Sequence, residues 1–309
     1  MNHACGRSEF SVTSPKGIAS AMPNASPGAI RVRGFSRTRG RTPSPHGRGS
    51  AFPLIEALSR RTTLAIISLL SLVLVMPSNA EAAELQMIAG GSLTGPLKQI
   101  VPQFERATGH KLVIHFDSTP NLIKQAISGA PLDLAVVPVD VFKDPTAKAR
   151  FVAGPTIDIA RVGYGVIVRS GAAKPDIITP DALKKTLLAA SSISSVPASA
   201  AGAYVLKVFD RLGVAEEMKA KIKLQQLPDQ IAPAVAKGEA DLGVFLINTL
   251  IAPGVDLVGP FPAELQQELV FTAAISTDSQ QADAAKAFIN YLRTPAATTI
   301  LKATGMTPG

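Results

Sequence analysis

Two ten-residue stretches decide the fold of this chain: LQMIAGGSLT at residues 85–94 and LVIHFDSTPN at residues 112–121. Each begins with an apolar run of strand length and ends in small, hydroxylated residues. A helical pattern follows each stretch, so both predict a strand that leads into a helix N-terminus. A hydroxyl at such a place marks a candidate anion site, because the free N–H groups and the positive end of the helix dipole point toward it.

The same pattern continues into a third strand. Apolar residues recur at helical spacing after each stretch, and the two predicted helices end at Gly109 and Gly129. Residues 132–137 then form a further apolar run. The order strand-helix-strand-helix-strand predicts a parallel sheet with right-handed crossovers, and hence an α/β fold.

Strand and helix patterns alternate through the rest of the chain. Strands are predicted at residues 163–168, 192–196, 223–226, 242–245, 255–258 and 268–274. Helices are predicted at residues 181–190, 203–212, 215–222, 231–237 and 281–292, with a last helix beginning at Thr294 and Pro295. In an open sheet the ligand lies beyond the carboxyl ends of the strands, so Ser92 and Thr119 are expected to face one crevice.

The positive charge of the chain is confined to its N-terminal part. The chain has 31 Lys and Arg against 23 Asp and Glu, but residues 1–61 hold ten basic residues and two acidic ones, which leaves 21 of each in residues 62–309. The basic residues stand among Pro, Gly and Ser, which cannot build a core. We therefore expect no nucleic-acid partner.

A secretory signal peptide is predicted next. Arg60 and Arg61 precede the apolar run Leu64–Val75, and small residues with alternating Ala follow. The apolar run is shorter than the roughly 20 residues that a membrane span needs. We expect cleavage near Ala82, with residues 1–83 forming a basic extension plus signal peptide, and a periplasmic product exported by the general or the twin-arginine route.

Catalytic and nucleotide-binding patterns are weak in the predicted mature part. The only cysteine, Cys5, precedes the cleavage site, so no disulfide or thiol chemistry is expected. His110 is interpreted as a surface residue and His115 as a satisfied strand histidine. The glycines of residues 90–95 have the spacing of a phosphate loop, but Pro96 and Leu97 stand where Lys and Ser or Thr are required.

Three aspartates raise the question of a metal site. Asp133, Asp140 and Asp144 are close in sequence, but their spacing fits no calcium loop. We expect them to be solvated carboxylates and predict no metal-cation site.

Four motifs in order carry a family resemblance. They are AGGSLT at 89–94, FERATG at 104–109, QAISGAPLD at 125–133 and KGEADLG at 237–243. Together they resemble the periplasmic molybdate-binding proteins of ABC importers, and the match runs from about Leu85 to the C-terminus.

The resemblance implies a two-lobed fold of the Venus-flytrap type with a mostly parallel sheet in each lobe. Residues 84–164 and 268–309 would form lobe 1 and residues 165–267 lobe 2. Such proteins are binding proteins rather than enzymes and need no cofactor. The implied ligand is a tetrahedral oxyanion, molybdate or tungstate, and the implied partner is an ABC permease that a monomer would dock on.

The resemblance also implies the ligand-binding residues. Ser92 and Thr119 match two hydroxyl positions in lobe 1, and Ala201 matches a backbone N–H position in lobe 2. Another N–H is expected at the helix start near Pro228, which has none, so Asp229 or Gln230 would supply it.

Two further positions leave the identity of the ligand undecided. Leu246 stands where the family often has a Tyr hydroxyl, and Asn248 is a possible replacement. Asp117 would repel an anion if its carboxylate faced the cleft, and would be harmless if it turned outward. Simple helix capping remains the alternative role for Ser92 and Thr119. The alternatives are another small anion or organic ligand in the same fold, or a periplasmic hydrolase.

Overall fold

The computed structural model describes residues 82–309. The predictions about the basic extension, Cys5 and the apolar run of the signal peptide lie outside these residues. No helix in the described part is both long and apolar enough to cross a membrane.

The elements alternate as the sequence predicts, and we number strands and helices separately in chain order. The strands are β1 Glu84–Gly90, β2 Lys111–Asp117, β3 Leu134–Pro138, β4 Ile157–Val162, β5 Tyr164–Arg169, β6 Ile193–Ser195, β7 Ile222–Leu224, β8 Leu242–Leu246, β9 Val255–Pro260, β10 Leu269–Ile275 and β11 Thr307–Pro308. The helices are α1 Thr94–Thr108, α2 Thr119–Ile127, α3 Pro145–Lys148, α4 Pro180–Ala189, α5 Ala200–Leu212, α6 Ala215–Lys221, α7 Ile231–Ala236, α8 Ile247–Leu250, α9 Ala282–Leu292 and α10 Pro295–Ala303.

The strands form two sheets, each with helices against it. The first sheet has the order β11-β4-β10-β3-β1-β2 and the second the order β7-β6-β8-β5-β9. We call the first sheet with its helices the first lobe and the second sheet with its helices the second lobe. The predicted two-lobed α/β class is confirmed, while the predicted boundaries at residues 164–165 and 267–268 stay predictions.

The expectation of mostly parallel sheets is wrong. In the first sheet β1 pairs in parallel with β2 and β3, but β10 runs antiparallel to β3 and β4. In the second sheet β6 pairs in parallel with β7 and β8, but β5 runs antiparallel to β8 and β9. The short β11 also runs antiparallel to β4. The parallel pairs come from strand-helix-strand units, whereas every antiparallel pair includes a strand that adjoins a segment passing between the sheets.

The end of the chain packs on the first lobe. Phe104 of α1 is fully buried, and its ring centroid lies 5.0 Å from that of Phe288 and 5.5 Å from that of Tyr291, both on α9. The edge-to-face geometry of these rings is favourable. The C-terminal helices therefore complete the core that β1 and α1 begin.

The chain passes between the sheets at Gly163 and near Gln266. The side-chain amide of Gln266 pairs with the backbone of Tyr164: its Oε1 accepts from the N–H at 2.8 Å, and its Nε2 donates to the carbonyl oxygen at 2.9 Å. A Cβ at position 163 would lie 3.2 Å from the same amide, so glycine lets the two passing segments approach closely. We call this pair of segments the crossover.

We predict that Gln266→Ala destabilises the protein by about 1–3 kcal/mol, because the buried N–H of Tyr164 loses its acceptor. Urea unfolding measures the effect. The matched control is Gln267→Ala, which removes an exposed neighbouring side chain. Equal urea midpoints for the two variants would contradict the role assigned to Gln266.

Candidate functional site

A small cavity lies between the lobes, at the carboxyl ends of the first three strands. Its volume, taken as the space open to the centre of a water-sized sphere, is about 20 Å³. The first lobe lines it with Gly90, Gly91, Ser92, Asp117, Ser118, Thr119, Pro138, Leu269 and Phe271, and the second lobe with Val196, Ser199, Ala201, Pro228 and Phe245. The cavity therefore lies where open α/β sheets bind ligands.

Ser92 lies in a 3-10 turn, Gly91–Leu93, directly after β1. It is buried, and its hydroxyl has no hydrogen-bond partner among residues 82–309. The two glycines before it permit close packing, since a Cβ at Gly90 would lie 2.8 Å from the Phe271 ring and one at Gly91 would lie 3.1 Å from Pro228. The glycines thus let this turn reach the cavity between the lobes.

Thr119 is the first residue of α2 and is also buried. Its Oγ1 accepts a hydrogen bond of 3.1 Å from the backbone N–H of Ala200, across the two lobes. A hydroxyl that accepts in this way still has its own hydrogen to donate, and cooperativity makes it a stronger donor. The side chain therefore serves the lobe interface rather than the cap of its own helix, and no side chain caps α1 or α2.

The first turn of α5 contributes one free donor. The N–H of Gly202 donates to the Ser199 hydroxyl at 2.9 Å, that of Ala203 to the Ser199 carbonyl at 2.8 Å, and that of Ala200 to Thr119. Among the described residues, the N–H of Ala201 has no such partner, and Ala201 lines the cavity. Unpaired N–H groups of a helix start attract anions.

Gly202 is required for this geometry. A Cβ there would lie 1.9 Å from the carbonyl oxygen of Val196, far inside contact distance. The close approach holds the start of α5 against the end of β6. Glycine therefore fixes the position of the helix start at which Ala201 lines the cavity.

The 3-10 turn at Pro228–Gln230 does not place the predicted ligand-binding residues at the cavity. Pro228 lines the cavity, but Asp229 and Gln230 are exposed and are not part of the lining. The backbone N–H of Gln230 donates to the Leu227 carbonyl at 3.2 Å, and its side-chain oxygen accepts from the N–H groups of Gln226 and Leu227. The structure does not bring Asp229 and Gln230 to the cavity, so their binding role stays a prediction.

Asn248 makes the second polar contact between the lobes. Its Nδ2 donates to the carbonyl oxygen of Ser92 at 2.7 Å, and the side chain is buried. Leu246, two residues earlier, is fully buried and is not part of the cavity lining. The polar side chain that meets Ser92 from β8 and α8 is thus Asn248.

The carboxylate of Asp117 is held by its own strand and helix. It accepts hydrogen bonds from the Ser118 N–H at 2.7 Å, from Asn121 at 2.9 Å and from Gln125 at 3.2 Å, and its Oδ2 lies 3.5 Å from Nε2 of His115. Partial burial by itself would raise the pKa of Asp117, but these hydrogen bonds outweigh it and lower the pKa. Asp117 is part of the cavity lining, but its carboxylate is held by donors of Ser118 and of α2, which stabilise the negative charge without neutralising it.

Of the two histidine interpretations, the one for His110 as a surface residue is wrong. His110 is buried, its Nδ1 accepts from the N–H of Ala83 at 3.1 Å, and its ring stacks on Phe104. His115 lies in β2, as interpreted, and its Nε2 is 3.5 Å from Oδ2 of Asp117, although its side chain is 63% exposed because β2 is an edge strand. Neither histidine lines the cavity.

The aspartates expected to be solvated behave differently from one another. Asp133 is buried and accepts hydrogen bonds from the Gln86 N–H at 2.8 Å and the Ser279 hydroxyl at 2.7 Å, so the expectation is wrong for this residue. Asp144 caps α3, and Asp140 pairs with Lys143. No group of three or more potential metal ligands occurs among residues 82–309.

Comparison with known proteins identifies the family. Residues 85–307 match the family of bacterial extracellular solute-binding proteins. The chain belongs to this family. It is 30% identical to the molybdate-binding protein ModA of Azotobacter vinelandii over 232 residues, which cover 73% of this chain and 90% of that protein.

Two further relatives of this solute-binding protein are informative. It is 29% identical to the aconitate isomerase of a Pseudomonas species over 257 residues, covering 81% of this chain and 97% of that protein. The solved periplasmic molybdate-binding protein of Azotobacter vinelandii has the same fold, with a TM-score of 0.61 and 23% identity over 72% of this chain and 98% of the other.

We predict that Asp117→Asn lowers the urea midpoint at pH 7, because the substitution removes the charge that the surrounding donors stabilise. Since the folded-state pKa is lowered, this stabilisation is present above the unfolded pKa of about 3.9 and is lost as the pH falls through the folded pKa. Midpoints measured from pH 7 to pH 3 should therefore converge with those of the unsubstituted protein. The exposed Asp210 provides the control variant Asp210→Asn. A difference that stays constant with pH would contradict this account.

Proposed function

We propose that the mature protein is a monomeric periplasmic receptor that captures a small tetrahedral oxyanion, molybdate or tungstate, and delivers it to an ABC permease. The observation that carries the proposal is that three residues with a neutral donor, Ser92, Thr119 and Ala201, line one cavity between the lobes. We infer that their donors, the two hydroxyls and the N–H of Ala201, bind the anion.

Neutral donors are sufficient to hold a dianion here. Each hydrogen bond to a charged oxyanion contributes roughly 1.5–3 kcal/mol. The N-terminal end of α5, a helix of 13 residues, adds a positive partial charge next to Ala201.

The size of the cavity favours a compact ligand. The space of about 20 Å³ exceeds the roughly 10–15 Å³ that one water molecule requires. Any anion larger than water therefore requires the lobes to part, and a compact tetrahedral anion requires a smaller parting than an acid of several carbons. The 30% identity to a molybdate-binding protein supports the same class of ligand.

Binding without turnover is part of the proposal. Asp117 is the ionisable residue in the lining, and its carboxylate is engaged with α2 and His115. A receptor of this kind encloses the anion by closing its lobes and presents the closed form to the permease.

We predict that molybdate and tungstate raise the melting temperature and that Ser92→Ala and Thr119→Val each weaken binding about tenfold or more, because each removes one hydrogen bond to the anion. Thr119→Ser keeps the hydroxyl and should keep the affinity. Isothermal titration calorimetry measures the dissociation constants.

Ser191→Ala, at an exposed serine away from the cavity, is the control for Ser92→Ala. The proposal fails if neither anion binds, or if Thr119→Val binds as tightly as Thr119→Ser.

A second candidate function is the binding or isomerisation of a short polycarboxylate. A groove of about 600 Å³ adjoins the cavity, since Thr119, Ser199 and Leu269 line both spaces. Along α5, Ala200 and Lys207 both line this groove, and seven residues of helix separate them by about 10 Å. An acid with one carboxylate in the cavity could extend its body toward Lys207, and the 29% identity to an aconitate isomerase favours this alternative.

Incubation with cis-aconitate, followed by NMR for the trans isomer, separates the two candidates. The receptor proposal predicts no turnover and no effect of Lys207→Met on molybdate affinity. Isomerisation that Lys207→Met reduces, while Lys223→Met at an exposed position on β7 does not, would replace the receptor proposal with the second candidate.

A further inference from the structure

Two direct hydrogen bonds join the lobes beside the cavity. One is the bond between Thr119 and Ala200 already described, and the other joins Nδ2 of Asn248 to the carbonyl oxygen of Ser92 at 2.7 Å. The second bond holds the backbone of the turn whose side chain carries a predicted ligand-binding hydroxyl. Asn248 is therefore placed to act on the ligand through Ser92.

The environment of Asn248 fixes the orientation of its amide. The residue is 9% exposed, and its Oδ1 is buried with no hydrogen-bond partner among residues 82–309. Rotating the amide by half a turn would set Oδ1 against the Ser92 carbonyl oxygen, which is repulsive. The contact with Ser92 thus decides the orientation of the amide. In this orientation Oδ1 is a buried acceptor without a partner among the described residues, and the free-energy cost of leaving it unpaired opposes lobe closure.

The backbone next to Asn248 is tied to the crossover. The N–H of Ile247 donates to the carbonyl oxygen of Gly163 at 3.0 Å, and a Cβ at Gly165 would lie 2.8 Å from the Ile247 side chain. Asn248 is therefore one residue away from the point at which the chain passes between the lobes. When the angle between the lobes changes, the distance between the crossover and the Ser92 turn must therefore change as well.

We propose that Asn248 is a positioning residue that couples lobe closure to the orientation of Ser92. In the closed form its amide holds the Ser92 turn against the cavity. When the lobes part, water replaces this bond, the unpaired Oδ1 becomes hydrated and the turn is released. The role in ligand affinity rests on the proposed function, because it requires that Ser92 contacts the anion, whereas the role in closure does not.

The test compares Asn248→Asp and Asn248→Ala with Thr249→Val. Asn248→Asp sets a carboxylate against the Ser92 carbonyl, and Asn248→Ala removes the donor. Thr249 is the matched control, because its hydroxyl donates to the Leu246 carbonyl at 2.8 Å within the same lobe. Each variant is made in the mature segment from Glu84, which contains no cysteine.

The lobe separation is read from spin labels on cysteines introduced at Lys124 and Lys223. Lys124 and Leu224, the neighbour of Lys223, line opposite sides of one groove between the lobes. We expect Asn248→Asp to lengthen this distance in the absence of ligand and to raise the dissociation constant for molybdate about tenfold or more. Asn248→Ala should do both to a smaller extent, and Thr249→Val should do neither.

The proposal is overturned if both Asn248 variants keep the lobe distance of Thr249→Val, including the case in which only their urea midpoints fall. Failure of the proposed function has a different signature. In that case no variant binds molybdate, and the lobe distances still decide whether Asn248 controls closure.

Discussion

The geometry of the cavity depends on the crossover, where the chain passes twice between the sheets. Gln266 joins the two passing segments by pairing both amide atoms with the backbone of Tyr164, and Gly163 leaves room for that amide. Because both segments are held together at the crossover, the two lobes can approach each other only along a restricted path. That path brings the ends of β1 and β2 against the start of α5, so hydroxyls and backbone N–H groups from distant parts of the sequence meet.

Local patterns in the sequence predicted most of the fold. The strand-helix order from β1 to β3 was correct because apolar periodicity and terminal glycines act within about fifteen residues. The strand β4, Ile157–Val162, was not predicted, since its polar residues interrupt the apolar run. The antiparallel pairs were missed for another reason: the direction of a strand after the crossover depends on which neighbour it meets, and local patterns do not carry that information.

The candidate site was predictable to the extent that it consists of helix starts. Ser92, Thr119 and Ala201 line one cavity, whereas Asp229 and Gln230 are not part of the lining, and the side chain of Gln230 is engaged with the backbone of Gln226 and Leu227. The sequence suggested Asn248 only as a possible replacement for a hydroxyl at Leu246, and neither its contact with the Ser92 backbone nor that of Gln266 with Tyr164 could be assigned from the sequence. These partners are 156 and 102 residues away, and a single Asn or Gln has no pattern that reveals a distant backbone group.

The free N–H of Ala201 and the hydroxyls of Ser92 and Thr119 determine how ligand binding should depend on pH and on salt concentration. None of these groups gains or loses a proton near neutral pH, and none carries a net charge that dissolved ions could screen. An anion held this way is bound by fixed dipoles whose strength is set when the lobes close. Acidity and salt outside the cell should therefore act on the approach of the ligand far more than on its retention.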